Sequence, residues 1–366
     1  TGTARMISTG LAYGMYLSDL MDFTGIGSIR PNAVTVYENG VVWGTTPGSV
    51  WWTNPVEINN TGDPLLTAST IYLVTSNPAA TYYLRENKVA LVVQPGITLT
   101  GPGSNFRVVE IAEMSYLWFE GSIDATGDNN GITQGWNKFC QLRDVTVRNA
   151  SGDGIAISSA ISHKLTDVTA SNNGGHGILL TVFNSIDHSS YNAFSNISAN
   201  NNISHGISLV GASNNTFSNV IANNNAQDGI SLTDSSSNNR LMNVVANNNT
   251  FSGIACNNLS SKNSFFEVAT SNNNIGLLLG ASSSNNFSGA NVSNNVSDGI
   301  LTQGSDSLQL SVVNSANNGG SGIALLNSLN SVLDGITTTN NVRNGIYLSG
   351  SHNTLNAIVS GNNALR

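Results

Sequence analysis

The dipeptide Gly-Ile recurs at a nearly constant interval through most of the chain, and this repeat limits the folds open to it. The interval between repeat glycines is 23 or 24 residues, apart from one of 29 between Gly177 and Gly206. A period in this range, with polar residues between short apolar runs, predicts a solenoid in which each repeat forms one coil. The repeat glycines, all followed by Ile except Gly276, are Gly131, Gly154, Gly177, Gly206, Gly229, Gly253, Gly276, Gly299, Gly322 and Gly345.

The residues that follow each repeat glycine predict a β-strand. In the unit Gly-Ile-Ser-Leu, Ile207 and Leu209 lie two positions apart, so both side chains point to the same face of an extended strand. A second apolar residue, such as Phe217, precedes the next repeat glycine and opens another short strand. Three short strands per repeat indicate one coil of a parallel β-helix, and the chirality of parallel crossovers makes it right-handed.

Asparagine-rich segments lie between these predicted strands. Asparagine tolerates left-handed backbone conformations, so these segments predict the corners of each coil. Coils of a β-helix lie about 4.8 Å apart, and equivalent asparagines are therefore expected to stack as ladders of side-chain amides. The segments expected at one corner are 223–225, 247–249 and 272–274, and the residues expected at the other are Asn215, Asn239 and Asn286.

The chain is predicted to be all-β, with two parts. Residues 1–68 are expected to form a small β-rich N-terminal element for capping or assembly, and 69–366 the right-handed parallel β-helix of about 23 residues per coil. In the first part, Asn39 and Gly40 lie between two alternating apolar runs, which predicts a β-hairpin. In the second, the long repeat interval predicts an inserted loop at 181–191.

Composition and charge exclude several functions and favour export. The net charge of −8 and the 9% content of charged residues argue against nucleic-acid binding. No stretch is long and apolar enough to predict a membrane span. Because the chain opens with Thr1, we predict a mature protein that is secreted to the extracellular space or the cell surface. Cys140 and Cys256 lie five predicted coils apart, too far for a disulfide, and are expected to be free thiols.

The repeat units at 172–180 (Asn-Asn-Gly-Gly-His-Gly-Ile-Leu-Leu) and 223–232 resemble those of the pectate-lyase-like superfamily of parallel β-helix proteins. They are most similar to the NosD-like surface and periplasmic proteins, and the resemblance covers about residues 70 to 366. It implies the fold but no single activity, because this scaffold carries lyases, polygalacturonases, epimerases, tailspikes and adhesins. Gly175-His176-Gly177 resembles a polygalacturonase motif, although the partner motifs Asn-Thr-Asp, Asp-Asp and Arg-Ile-Lys do not occur in the chain.

Four ionisable residues form the candidate site, because each stands directly before a repeat glycine in consecutive coils. Stacked at about 4.8 Å intervals, they could titrate as a coupled set or bind a transition metal. The alternative is that each side chain caps its own turn. We predict neither a cofactor nor a bound metal, and no other catalytic residue. The four candidates are Asp153, His176, His205 and Asp228.

The sequence favours a structural or adhesive function. The outward position of the Gly-Ile strands is often apolar, as in Leu179, Leu278, Leu301 and Tyr347, which predicts an apolar stripe for interaction. We predict a subunit of an extracellular filament or surface appendage that self-associates head to tail, with surface glycans as possible further partners. The alternative is a polysaccharide lyase or hydrolase, or a tailspike-like glycan-binding protein.

Overall fold

A computed structural model of the chain describes residues 71–365, apart from 78, 87–88, 104–106, 113–116 and 183–188, together with three strands between 35 and 58. The described residues form 31 strands and no helix. The first nine strands are β1 (Thr35–Glu38), β2 (Val41–Thr45), β3 (Val56–Ile58), β4 (Ile71–Val74), β5 (Tyr82–Leu84), β6 (Ala90–Val93), β7 (Thr98–Thr100), β8 (Arg107–Ala112) and β9 (Trp118–Asp124).

The repeat region contributes the other strands. The first eleven of these are β10 (Asn130–Gly135), β11 (Gln141–Arg148), β12 (Ile155–Ser158), β13 (Lys164–Ser171), β14 (Ile178–Thr181), β15 (Ala193–Ser198), β16 (Ile207–Val210), β17 (Thr216–Ile221), β18 (Ile230–Thr233), β19 (Arg240–Val245) and β20 (Ser252–Asn257). The remainder are β21 (Ser264–Ser271), β22 (Ile275–Gly280), β23 (Asn286–Ser288), β24 (Asn291–Ser293), β25 (Ile300–Gln303), β26 (Gln309–Ala316), β27 (Ile323–Leu326), β28 (Val332–Thr339), β29 (Ile346–Ser349), β30 (Thr354–Asn356) and β31 (Val359–Gly361).

One parallel sheet, which we call sheet A, takes one short strand from each coil. Its 12 strands run in the order β5, β8, β10, β12, β14, β16, β18, β20, β22, β25, β27 and β29. The repeat isoleucines are in register, so that Ile207 pairs with Ile230 and Ile230 with Ile254. The predicted parallel β-helix is therefore confirmed, and its coils coincide with the sequence repeat.

The second parallel sheet, sheet B, takes the longer strand from each coil, for example β15, β17 and β19. Residues such as Asn219 (φ 55°) adopt a left-handed conformation inside these strands and bend them. The prediction of three strands per coil is therefore replaced by two, of which the second is bent. The bend separates the strand into β23 and β24 in one coil and into β30 and β31 in another, and the two pieces pair with the two halves of a neighbouring strand.

The interior of the coils is apolar and closely stacked. Ile207, Leu209 and Phe217 are completely buried, and the rings of Phe194 and Phe217 stack with their centroids 4.3 Å apart. Cys256 pairs in register with Leu232 on one side and Leu279 on the other, so it occupies a core leucine position. Both cysteines are buried free thiols, as predicted.

An asparagine ladder runs along one corner of the β-helix. In the segment 223–225, Asn224 adopts the left-handed conformation (φ 57°), whereas the Asn225 side chain turns into the interior. Asn225 Nδ2 donates to Oδ1 of Asn249 at 3.1 Å and to the Ala199 carbonyl at 3.1 Å. Each amide therefore joins its own coil to both neighbours. The ladder comprises Asn173, Asn202, Asn225, Asn249, Asn273, Asn295, Asn318, Asn341 and Asn363.

A second ladder lies at the opposite corner. Its amides also connect successive coils, with Asn215 Nδ2 donating to Asn239 Oδ1 at 3.1 Å. The prediction that Asn286 lies at this corner is wrong: Asn286 opens β23, and Asn285 takes the ladder position. The spacing from Asn263 to Asn285 is 22 residues, one shorter than the typical repeat. The ladder comprises Asn192, Asn215, Asn239, Asn263 and Asn285.

The predicted N-terminal hairpin is present, with β1 and β2 paired antiparallel. Strand β3 pairs in parallel with β4 and so extends sheet B toward the N-terminus. The division of the chain at residue 68 remains a prediction, because most of 1–68 lies outside the described residues. Residues 183–188 of the predicted insertion also lie outside them. In the described part, no helix is long and apolar enough to cross a membrane.

Candidate functional site

The four candidate residues lie in one column beside the N-terminal ends of the sheet A strands. The backbone N–H of His176 donates to Asp153 Oδ1 at 2.8 Å, and that of His205 approaches His176 Nδ1 at 3.4 Å. The N–H of Asp228 donates to His205 Nδ1 at 3.1 Å. The two imidazole rings stack with centroids 5.3 Å apart and planes 4° from parallel. The structure therefore brings together the residues that the sequence placed in one column.

The same column also caps turns in coils that contain no histidine. Asn130 Oδ1 accepts from the Asp153 N–H at 2.8 Å, and Asp298 Oδ1 accepts from the Ser321 N–H at 2.6 Å. Each side chain satisfies a backbone donor in the next coil, which would otherwise lack a partner. Capping is therefore one role of the four candidates.

These contacts define the protonation of the His205 ring. Because Nδ1 accepts from the Asp228 N–H, the ring proton lies on Nε2 and the imidazole is neutral. Burial, and to a lesser extent the adjacent His176 ring, lower the pKa of His205 to about 4. Burial also lowers the pKa of His176, against the opposing charge of Asp153. Both rings are consequently neutral near neutral pH.

Asp228 completes the site. Burial raises the pKa of its carboxyl group, and Oδ1 accepts from the Ser252 N–H at 2.8 Å. Oδ2 lies 3.3 Å from His205 Nδ1. Because Nδ1 already accepts from the Asp228 N–H, the Nε2–H is the one donor of the neutral ring.

The arrangement does not resemble a metal centre. Among the described residues, no group of three or more His, Cys, Asp or Glu side chains is placed to hold a metal ion.

A surface groove begins at His205 and Asp228 and crosses the outer face of sheet A. Its volume is about 620 Å³. The groove extends over the successive coils that contain β18, β20, β22 and β25. Its lining is mainly amide and hydroxyl groups, with one carboxylate and one imidazole. The lining residues are His205, Asp228, Ser231, Thr233, Asn257, Asn258, Gly280, Ala281 and Gln303.

Polar residues at one position of the repeat form the far side of the groove. Asn257, Gly280 and Gln303 are paired in register in consecutive coils. Asn258 Nδ2 donates to Thr233 Oγ1 at 3.2 Å and holds the adjacent turn. A Cβ atom at Gly280 would lie 2.6 Å from Asn257 Oδ1, so this glycine keeps space open beside the amide.

Sequence reasoning missed these groove residues. Thr233, Asn257, Gly280 and Gln303 each stand four residues after a repeat glycine, so their common offset was a usable signal. To find this signal, one must compare the residues four positions after each repeat glycine. Our prediction instead compared the residues directly before each repeat glycine.

The predicted apolar stripe on sheet A is not a continuous exposed surface. Ala255 and Ala324 are buried, and Leu278 and Leu301 are half-buried. Tyr347, at 46% exposure, is the member of the described stripe that faces solvent openly. Small side chains in the stripe are covered because the flanking coils lie only about 4.8 Å away.

Comparison with known proteins identifies the family. The sequence model of the family described as "Right handed beta helix region" matches residues 96–289, more than half of the chain. The chain belongs to this family. This family agrees with the resemblance to parallel β-helix proteins that the repeat units show.

Two solved structures with the same fold come from different kinds of protein, an epimerase and a phage tailspike. The A-module of the Azotobacter vinelandii mannuronan C-5 epimerase AlgE4 is 16% identical, with a TM-score of 0.50 and 86% of each chain covered. The enzymatically active domain of tailspike protein 2 from bacteriophage CBA120 is 12% identical, with a TM-score of 0.56 over 91% of this chain and 55% of the tailspike chain. At these identities the likeness shows a common β-helix fold. No curated protein is significantly similar in sequence.

Proposed function

We propose that the protein binds a polysaccharide in the groove that starts at His205 and Asp228. The observation that carries this proposal is the groove itself, an open channel lined with side-chain amides and hydroxyls on successive coils. Such groups donate and accept hydrogen bonds and so match the hydroxyls of a sugar chain. An extended polymer can contact equivalent positions on several coils at once.

The similar structures support a carbohydrate ligand. The epimerase module is named for mannuronan, a polysaccharide, and has the same fold over most of its length. A polysaccharide ligand also agrees with the predicted export of the chain, and we propose secretion to the extracellular space or cell surface. This function replaces the filament subunit as our first choice.

The groove supports binding better than hydrolysis by paired carboxylates. Glycosidases of the usual kind place two carboxyl groups on either side of the scissile bond. Among the described lining residues, Asp228 is the one carboxylate. In this proposal His205 and Asp228 hydrogen-bond the sugar chain.

Substitution of His205 tests the proposal. We expect His205→Asn to weaken binding of the cognate oligosaccharide about tenfold, because it removes the ring from the groove. Asparagine fits the column, since Asn130 already caps the equivalent turn. The measurement is titration calorimetry with ligands selected on a glycan array.

The matched control is His176→Asn. His176 belongs to the same column and stacks on His205, but it is not among the residues that line the groove. We expect the affinity of the His176→Asn variant for the oligosaccharide to stay within twofold of that of the unmodified protein. Equal loss in both variants, or no binding to any glycan, would contradict the proposed site.

Head-to-tail assembly is the second candidate function. In the last described coil, Leu348 is 36% exposed and Leu355 40%, whereas their register partners Leu325 and Leu333 are completely buried. Such exposed leucines are suited to pack against another coil. We propose that a second copy supplies that coil.

Sedimentation velocity over a concentration series tests assembly. If the contact forms, the average molecular mass rises with protein concentration. The Leu355→Glu variant is then expected to stay at the monomer mass at every concentration. Val342→Glu serves as the control, because Val342 is 62% exposed and lies in a turn rather than in a strand of the last coil. A constant monomer mass in the parent would rule out this function.

A further inference from the structure

The groove has a distinct charge character. Its amides and hydroxyls are neutral, and Asp228 supplies the one formal charge among the described lining residues. The imidazole of His205 is neutral above about pH 5, because burial lowers its pKa to about 4. No lysine or arginine lines the groove in the described part of the chain.

Several basic side chains are engaged elsewhere on the β-helix. Arg85 and Arg107 both contact Glu110 near its first coils, the second at 2.7 Å. Arg148 lies 3.1 Å from Asp124, on the strands of sheet B. These side chains are committed to carboxylates of the protein and are not available to the groove.

A uronate polymer would therefore meet an unfavourable surface. Each sugar would place a carboxylate near Asp228 or near neutral groups, and no fixed cation would offset the loss of its hydration. The net charge of −8 adds long-range repulsion at low ionic strength. The groove lacks the arginine forks that usually bind carboxylates.

A neutral sugar chain meets a matching surface. Ser231, Asn257 and Gln303, in the coils of β18, β20 and β25, offer the donors and acceptors that sugar hydroxyl groups require. Leu278 and Leu301 are half-buried at the adjacent outward position and provide apolar contact for the C–H faces of sugar rings. The two sets of groups together suit a ligand that is polar but uncharged.

We infer that the ligand is a neutral polysaccharide and that the groove discriminates against uronate polymers such as mannuronan. The inference rests on the proposed glycan-binding function and assigns its substrate class. It separates this chain from the mannuronan epimerase module, with which it shares the fold.

Matched ligand pairs test the inference. Each pair consists of a uronate oligomer and the same oligomer after chemical reduction of its carboxyl groups, so that charge is the main difference. Oligomers of mannuronan, galacturonan and glucuronan give three pairs, to be titrated by calorimetry at low and high salt. For the pair that binds best, we expect the neutral member to bind at least tenfold more tightly, with a smaller difference at high salt.

A variant that introduces a positive charge into the groove provides a second test. Gln303 is exposed in the groove, and Gln303→Lys places a cation there. We expect it to raise the affinity for the uronate member at least threefold and so narrow the gap. A shift in this direction identifies the groove as the place where charge is sensed.

The outcomes separate this inference from the proposed function. Equal or tighter binding of the uronate member, with EDTA or with added Ca²⁺, would overturn the neutral-ligand inference and leave glycan binding in place. Binding of neither member of any pair, together with silence on a neutral glycan array, would remove the proposed function and the inference with it.

Discussion

Asn249→Ala is expected to lower the free energy of unfolding by about 4 kcal/mol. Asn249 Oδ1 accepts from the backbone N–H of Asn225 at 2.9 Å and from its Nδ2 at 3.1 Å. Asn249 Nδ2 donates to the Ala222 carbonyl at 3.0 Å and to Asn273 Oδ1 at 3.1 Å. Alanine leaves buried donors and acceptors without their partners in the two neighbouring coils. Urea unfolding followed by circular dichroism measures the change.

The adjacent residue supplies the control. Asn248 belongs to the same turn, is exposed and has φ 57°, a conformation that glycine adopts at little cost. Asn248→Gly is therefore expected to change the free energy of unfolding by less than about 1 kcal/mol. If the two substitutions cost the same, the ladder does not contribute the stability assigned to it.

His163→Asn is expected to remove a large part of the acid sensitivity of the fold. His163 is completely buried in the coil before the first asparagine of the second ladder, and its backbone N–H donates to Asn192 Oδ1 at 2.8 Å. Burial lowers the pKa of its imidazole from 6.5 to about 4. Asparagine occupies the equivalent position in the next coils and does not titrate, so the variant should fold.

The sign of the effect follows from proton uptake. Between pH 6.5 and about 4, the unfolded His163 binds a proton and the folded one does not, so acidification favours unfolding. The parent should therefore lose about 2 kcal/mol more than the variant between pH 7 and pH 4.5. Glu120, whose pKa burial raises to about 6, acts in the opposite direction but is present in both proteins. Parallel stability curves for the two proteins would contradict this role of His163.

The coil was predictable because its constraint is local. A Cβ atom at Gly206 would lie 2.7 Å from the Ala199 carbonyl oxygen and 2.7 Å from the Gly229 carbonyl oxygen, so the backbone at this position tolerates no side chain. The repeat glycine consequently marks the same point in every coil, and the apolar residues on either side inherit its register. The residues that fill the interior could therefore be predicted from the spacing of the repeat glycines alone.

The outer surface was less predictable because it depends on distances between coils. Asn286 was assigned to a corner by counting, but a coil shorter by one residue moves the ladder to Asn285. The candidate column was predicted as a set, yet the tautomer of His205 follows from a contact with the Asp228 backbone. The groove depends on the space beside Gly280, which becomes apparent only when the residues four positions after each repeat glycine are compared between coils.

The asparagine ladder also gives the β-helix an electrical direction along its axis. From Asn173 to Asn341, one Nδ2–H of each amide donates to the Oδ1 of the later coil, as in the steps from Asn173 to Asn202 and from Asn202 to Asn225. Hydrogen bonds of parallel strands point alternately up and down, so their dipoles largely cancel. The side-chain dipoles instead add, with the negative end toward Ala150 and the positive end toward Asn363. Each amide polarises the next, so a break in the middle of the ladder should weaken both halves more than a break at either end.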